Sequence, residues 1–73
     1  MAQEVTSEVT GKVWKMEKQA GDRVEEEDII MILESMKMEI PVEAPCNGTL
    51  LEVHVKEEDA VEEDQVVALI EAD

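Results

Sequence analysis

The sequence repeats itself at a spacing of 37 residues. When residues 11–34 are laid over residues 48–71, six positions are identical without a gap. Apolar positions also coincide, for example Ile29 with Val66. The period is too long for a coiled coil, and two copies are too few for a solenoid. The repeat therefore predicts a single domain over residues 1–73, built from two similar halves related by a pseudo-twofold axis.

The apolar segments of both halves are typical of β-strands. IIMILE and VVALIE are short, rich in branched side chains and apolar without alternation, which favours strands buried on both faces. MEIPVEA and LLEVHVK alternate apolar with polar residues, and we expect Leu51, Val53 and Val55 to share one face. The sequence predicts an all-β fold of roughly seven or eight strands. These would form two small antiparallel sheets in a flattened barrel or sandwich (a barrel-sandwich hybrid) with pseudo-twofold symmetry.

The charge balance excludes several classes of partner. The chain has 20 acidic and 6 basic residues and a net charge of -14 at pH 7. This argues against binding to nucleic acid or to an anionic membrane, and favours steering toward basic protein surfaces. The first residues lack the features of a signal peptide, and no apolar run is long enough for a membrane span. With one cysteine, Cys46, we expect a reduced, cytoplasmic setting.

One lysine lies between two methionines in the link between two predicted strands. Only Ser35, Met36 and Lys37 separate IIMILE from MEIPVEA, and this spacing predicts a tight hairpin. The link lacks the Asn-Gly or Asp-Gly pair that such turns prefer, and local rules tend to be broken at functional sites. We predict that Lys37 is exposed at the tip. Met36 and Met38 are flexible and polarizable, which suits contact with another protein.

The stretch ESMKM, followed by APCNGT, resembles the biotinyl domain of biotin-dependent carboxylases, whose usual motif is Ala-Met-Lys-Met. The similarity spans nearly the whole chain, and the related lipoyl domain shares the fold and the central lysine. The resemblance implies that biotin is attached covalently to Lys37 and that Met36 and Met38 are recognition flanks. Glu34 and Ser35 are further candidates for recognition.

The resemblance implies a carrier rather than an enzyme. A biotin protein ligase would join biotin to Lys37, and the arm would swing between biotin carboxylase and carboxyltransferase subunits, carrying CO2 as carboxybiotin. We expect a monomer when the domain is isolated. Two alternatives stay open: a lipoate carrier that uses the same lysine, and an unmodified structural or interaction module of the same fold.

Three features depart from the family pattern. Ser35 replaces the usual alanine of the motif. Glu27 and Glu58 fall where relatives often have turn glycines, so a positive φ at these positions would be strained. The first half has no insertion of the kind that forms the protruding thumb of some acetyl-CoA carboxylase carriers.

Other residues that often mark a site lack a supporting pattern. His54 has no metal-ligand cluster around it, and we expect it to face solvent. Cys46 has no paired base and is predicted to be a small, half-buried side chain. Trp14 aligns with Leu51, and we interpret it as a core residue. The acidic runs lack the ligand spacing and central glycine of an EF-hand, so the sequence predicts neither a metal site nor catalytic residues.

Overall fold

Eight β-strands make up the regular structure of the chain, here taken from a computed structural model that describes residues 1–73. The strands are β1 (Ala2–Thr6), β2 (Gly11–Met16), β3 (Arg23–Val24), β4 (Ile29–Ser35), β5 (Met38–Glu43), β6 (Gly48–Val53), β7 (Ala60–Val61) and β8 (Val66–Ala72). No helix with the length and hydropathy needed to cross a bilayer is present. The all-β prediction is confirmed.

The strands form two four-stranded antiparallel sheets. One sheet has the order β1-β8-β6-β3 and the other the order β5-β4-β2-β7. A shift of 37 residues converts each sheet into the other: Gly11–Met16 becomes Gly48–Val53, and Ile29–Ser35 becomes Val66–Ala72. Each sheet therefore takes two strands from each half of the chain. The predicted pseudo-twofold is confirmed, and the halves interlock rather than lie side by side.

The core is one cluster of apolar side chains contributed by both sheets. It includes Ile30, Met31 and Leu33 of β4, which are fully buried. Burying an aliphatic side chain of this size stabilises the folded state by roughly 1.5–3 kcal/mol. The 13 members are Val5, Val13, Val24, Ile30, Met31, Leu33, Val42, Ala44, Leu50, Val61, Val67, Ala68 and Ile70.

The expectation that Leu51 shares a face with Val53 and Val55 is wrong. The pairing of β6 with β8 shifts register between Leu50 and Glu52, so that Leu51 is the extra residue of a β-bulge. Leu50 is fully buried, whereas Leu51 is 45% exposed. Val53 and Val55 do pack against the core, as partly buried residues. An extra residue reverses the alternation of inward and outward side chains at that point of the strand.

The interpretation of Trp14 as a core residue is wrong for the same reason. The pairing of β2 with β4 shifts register between Val13 and Lys15, which makes Trp14 the bulged residue. Val13 is fully buried, and Trp14 is 47% exposed. The bulges at Trp14 and Leu51 are 37 residues apart, so the pseudo-twofold extends to these irregularities.

Four turns of the same construction connect the short strands to their neighbours. In each turn the fourth N–H donates to the first carbonyl, and a side-chain oxygen of the fourth residue accepts from the first N–H. The turns span residues 19–22, 25–28, 56–59 and 62–65. The third residue of each has a positive φ: Gly21 (96°), Glu27 (76°), Glu58 (76°) and Asp64 (69°). Glu27 and Glu58 therefore have the positive φ at which the sequence predicts strain.

The two ends of the chain meet where the pseudo-twofold requires. The N–H of Ala72 donates to the carbonyl of Met1 at 2.9 Å, just as Ser35 lies opposite Met38 in the other sheet. The terminal amine of Met1 forms an ion pair with Glu71 at 3.1 Å. The termini thus occupy, in one sheet, the place of the link between β4 and β5 in the other.

Replacing Glu58 by glycine should stabilise the protein. A residue with a Cβ costs roughly 1–2 kcal/mol in the left-handed region, and glycine costs roughly 0.5–1 kcal/mol in unfolded-chain entropy. We expect the free energy of unfolding to rise by roughly 0.5–1 kcal/mol in urea denaturation. Glu58→Gln removes the same charge but keeps the strained backbone. An equal gain from Glu58→Gln would attribute the effect to charge and contradict the prediction.

Candidate functional site: the hairpin lysine

The link between β4 and β5 is a hairpin loop of two residues. Ser35 and Met38 are paired in register, which leaves only Met36 and Lys37 in the turn. Both have positive φ, 53° and 65°, the arrangement of a type I′ turn. Such turns favour asparagine and glycine because other side chains are strained there. The predicted hairpin is confirmed. Both of its turn residues have a backbone conformation that is unfavourable for residues with a Cβ.

The turn presents a free amine between two exposed thioethers. Lys37 is exposed and forms no ion pair. Met36 is 91% exposed and Met38 is 63% exposed, so neither contributes to the core. The flexible stem of the lysine carries its amine away from the turn without a competing partner in the chain. An acylating enzyme could reach this nitrogen directly.

Two carboxylates face each other just below the turn. Glu34 on β4 lies opposite Glu39 on β5, and both are exposed. Like charges directly opposite each other across a ladder destabilise the pair slightly. The pair also places negative charge close to Lys37, which favours approach by a basic surface.

The base of the hairpin is braced by the loop that precedes β2. The hydroxyl of Ser35 donates to the carbonyl of Thr10 at 2.8 Å. The hydroxyl oxygen of Thr10 accepts in turn from the N–H of Glu63. Gly11 packs so closely on β4 that a Cβ there would lie 2.5 Å from the carbonyl oxygen of Glu34. The hairpin therefore projects from a fixed base.

No cavity opens at the tip. The larger of the two cavities, of about 310 Å³, runs along β5 and is lined by residues that include Glu26, Pro41 and Glu43. Lys37 lines neither cavity. A group attached to this lysine would lie in solvent or in a partner, since the domain has no pocket for it.

The other chemically active residue types do not join the hairpin. His54 is exposed, as predicted, with Nε2 3.0 Å from Oε1 of Glu52. Cys46 is half-buried against the core, as predicted. No group of three or more His, Cys, Asp or Glu side chains lies close enough together to hold a metal ion. The hairpin lysine is therefore the candidate site.

Comparison with known proteins identifies the domain. The biotin/lipoyl family, described as "Biotin-requiring enzyme", matches residues 1–72. The chain belongs to the biotin/lipoyl attachment family. Attachment domains of this kind serve as carriers in carboxylases and are not themselves catalytic.

Relatives of similar length and a domain of a larger enzyme both resemble this biotin/lipoyl attachment domain. The biotin/lipoyl attachment protein of Bacillus subtilis is 44% identical over 63 residues, 86% of each chain. A biotinylated protein TB7.3 homolog of Mycobacterium leprae is 36% identical over 70 residues, 96% of this chain and 99% of that one. The crystal structure of Kluyveromyces lactis urea carboxylase matches with a TM-score of 0.91 and 38% identity. The match covers 96% of this chain but only 6% of the urea carboxylase.

The structure bears on two departures from the family pattern. The hydroxyl of Ser35, which the usual alanine lacks, donates to the carbonyl of Thr10. The connections of the first half, residues 7–10, 17–22 and 25–28, repeat those of the second half at the 37-residue shift, so no thumb protrudes from this domain.

The braces of the hairpin were not among the predicted site residues. Thr10 and Gly11 lie about two dozen positions before Ser35 in the chain, and only folding brings them together. One signal was present: Gly11 and Gly48 are identical positions of the repeat. A Cβ at Gly48 would clash with the carbonyl oxygen of Glu71, so both glycines are needed where two strands approach closely.

Gly11→Ala should destabilise the domain and loosen the hairpin. The added methyl group forces β2 and β4 apart, and we expect a loss of roughly 1–3 kcal/mol in the free energy of unfolding. Faster hydrogen exchange at the amides of Met36–Met38 would show that the hairpin has loosened. Gly48→Ala introduces the same crowding near the termini and should leave exchange in the hairpin unchanged. A hairpin that responds to both variants, or to neither, would show that Gly11 gives it no specific support.

Replacing Met36 and Lys37 by Asn-Gly should stabilise the domain. Both residues relieve the strain of the left-handed turn, and we expect the free energy of unfolding to rise by roughly 1–2 kcal/mol in urea denaturation. The control pair, Met36→Gln with Lys37→Arg, keeps long side chains at the same φ and should produce no such gain. An Asn-Gly variant no more stable than the wild type would mean that the tip is not strained.

Proposed function

We propose that this domain carries biotin on Nζ of Lys37 and serves a biotin-dependent carboxylase as its mobile carrier. The observation that carries the proposal is the tip itself: an exposed, unpaired lysine in a strained type I′ turn. Strain of this kind is retained when function requires the residues that cause it. Biotin fits the site because attachment needs an accessible primary amine and no pocket.

In attachment, Nζ of Lys37 is the nucleophile. A biotin protein ligase supplies the biotin carboxyl group as an acyl-adenylate, an amide bond forms, and AMP leaves. The neutral –NH2 form attacks, and its nitrogen loses one further proton as the amide forms. Because no side chain of the domain pairs with this nitrogen, the ligase provides the groups that accept protons from it. Met36 and Met38 give the ligase two adaptable apolar contacts beside the amine.

In the carrier cycle, the domain positions the attached cofactor and allows it to move. Bound biotin contributes a ring nitrogen that accepts and releases a carboxyl group. The braced hairpin holds the base of the arm, and the lysine stem provides its freedom of movement. The active sites belong to biotin carboxylase and carboxyltransferase domains or subunits, and the net charge of -14 suits basic rims around them. We propose that the isolated domain is a monomer and works in the cytoplasm.

Lipoate on the same lysine is the second candidate cofactor. Glu34, three residues before the lysine, resembles an acidic residue that lipoyl domains also carry. The two methionines at the tip match the biotin motif, whereas lipoyl domains usually have aspartate before the lysine and alanine after it. Biotin is therefore the cofactor that we propose.

Lys37→Arg should abolish modification and leave the fold intact. The variant keeps the charge but lacks the acylatable amine, and at an exposed position we expect the stability to change by less than about 0.5 kcal/mol. Intact mass, with peptide mapping of protein from its own cells, should show one biotinyl group on Lys37 in the wild type and none in the variant. Lys56→Arg, at another exposed and unpaired lysine, should be modified like the wild type.

Three other outcomes have distinct meanings. A lipoyl group on Lys37 would mean that the cofactor is lipoate and not biotin. A wild-type chain that stays unmodified with active ligases and both cofactors would make the domain a structural module. Unfolding of Lys37→Arg would make the lysine a structural residue.

A further inference from the structure

An exposed patch lies on β2, beside the hairpin and outside the attachment site. Lys12, Trp14 and Lys15 are all exposed, and Trp14 is the only aromatic residue of the chain. Lys12 lies opposite Glu34, and Lys15 opposite Ile32, so both lysines share the outer face of the sheet. The bulge turns Trp14 out of the core, and we call these three residues the β2 patch.

The pseudo-twofold supplies an internal comparison for the β2 patch. The equivalent positions on β6, 37 residues later, are Thr49, Leu51 and Glu52. Leu51 is as exposed as Trp14, at 45% against 47%. The fold therefore accepts a threonine, a leucine and an acid at these places. It does not require two lysines around an indole, although two of the six basic residues stand there.

The charges of the β2 patch are available to a partner. Lys12 forms no ion pair within the chain. Lys15 lies 3.5 Å from Glu17, but both side chains are well exposed, and surface pairs of this kind contribute little. In a chain that repels acidic surfaces overall, these lysines offer a local match for carboxylates.

The β2 patch lies within reach of any enzyme that receives Lys37. β2 pairs directly with β4, and about three residues of β4, roughly 10 Å, separate the level of Trp14 from the turn. A specific interface covers roughly 800 Å² on each partner, which corresponds to a disc of roughly 16 Å radius. The whole domain exposes only 4692 Å². A partner centred on the tip can therefore cover the patch.

We propose that the β2 patch docks the biotin protein ligase. The inference rests on the proposed function of Lys37. The partner surface offers an apolar pocket for the indole of Trp14, rimmed by carboxylates that pair with Lys12 and Lys15. Before modification the amine reaches no further than its own stem, so the ligase must contact the domain around the hairpin. After attachment the longer arm lets a carboxylase reach the cofactor with less contact.

The physical roles within the β2 patch differ. A partly exposed tryptophan becomes an energetic hot spot when a partner buries it. The flanking lysines mainly raise the rate of encounter and set the orientation, and their effect weakens with salt. The patch therefore determines how well the ligase binds the domain, whereas the chemistry at Lys37 is untouched.

The test is a face exchange between the two sheets. The variant Lys12→Thr, Trp14→Leu, Lys15→Glu places the residues of β6 on β2. It should fold, because the same three residue types already stand at the equivalent positions of β6. In steady-state biotinylation by a purified ligase of the same organism, we expect KM for the domain to rise about tenfold or more with kcat unchanged. The salt dependence of kcat/KM should weaken.

The reciprocal exchange is the matched control. Thr49→Lys, Leu51→Trp, Glu52→Lys places the residues of the β2 patch on the other sheet. By itself this variant should leave KM near the wild-type value, and in the face-exchanged chain it should not restore KM. Urea denaturation of both variants separates binding from folding. Should the first variant fail to fold, Trp14→Leu alone, compared with Leu51→Ala, asks the same question.

The remaining outcomes overturn the docking proposal in distinguishable ways. An unchanged KM in the face-exchanged chain, or an equal rise in the reciprocal control, means that the β2 patch does not dock the ligase. Normal biotinylation followed by poor carboxylation would assign the patch to a carboxylase instead. A wild-type domain that no ligase biotinylates would overturn the proposed function itself, and the docking proposal with it.

Discussion

The two long apolar strands, β4 and β8, are the constraint on which the rest of the structure depends. Each lies inside a sheet and is paired on both edges, and together they supply six of the 13 core side chains. Because each pairs with strands from both halves of the chain, neither half can bury its apolar surface alone. Folding must therefore join residues far apart in sequence, which makes the domain cooperative and its topology slow to form compared with helical domains of this size.

The hairpin is an extension of this core and not an addition to it. β4 runs from the buried Leu33 directly to Ser35 at the base of the turn. The bond to Thr10 and the close contact at Gly11 hold that base in place. A rigid base with a mobile side chain separates two demands on a carrier, since the protein surface can be recognised while the arm remains free. The pairing and burial of the strands below the turn offset the free energy that its strained conformation costs.

Much of this structure follows from the sequence, and the failures have two physical causes. The 37-residue repeat and the apolar runs predicted the sheets, the hairpin and the exposure of Lys37. The prediction from alternation failed at Trp14 and Leu51 because it assumes that every residue of a strand is paired. At a bulge one extra residue is unpaired, and the side chains that follow it change faces. The brace between Thr10 and Ser35 could not be read from the chain, because it exists only after two distant segments meet.

The pairing of the termini gives the domain a second place of the same geometry as the hairpin. Ala72 and Met1 stand to each other as Ser35 and Met38 do, and Asp73 occupies the position equivalent to Met36. One residue inserted between Asp73 and Met1 would complete a two-residue turn and close the backbone into a ring. With lysine as that residue, the symmetric scaffold would become a two-armed carrier with one arm on each sheet.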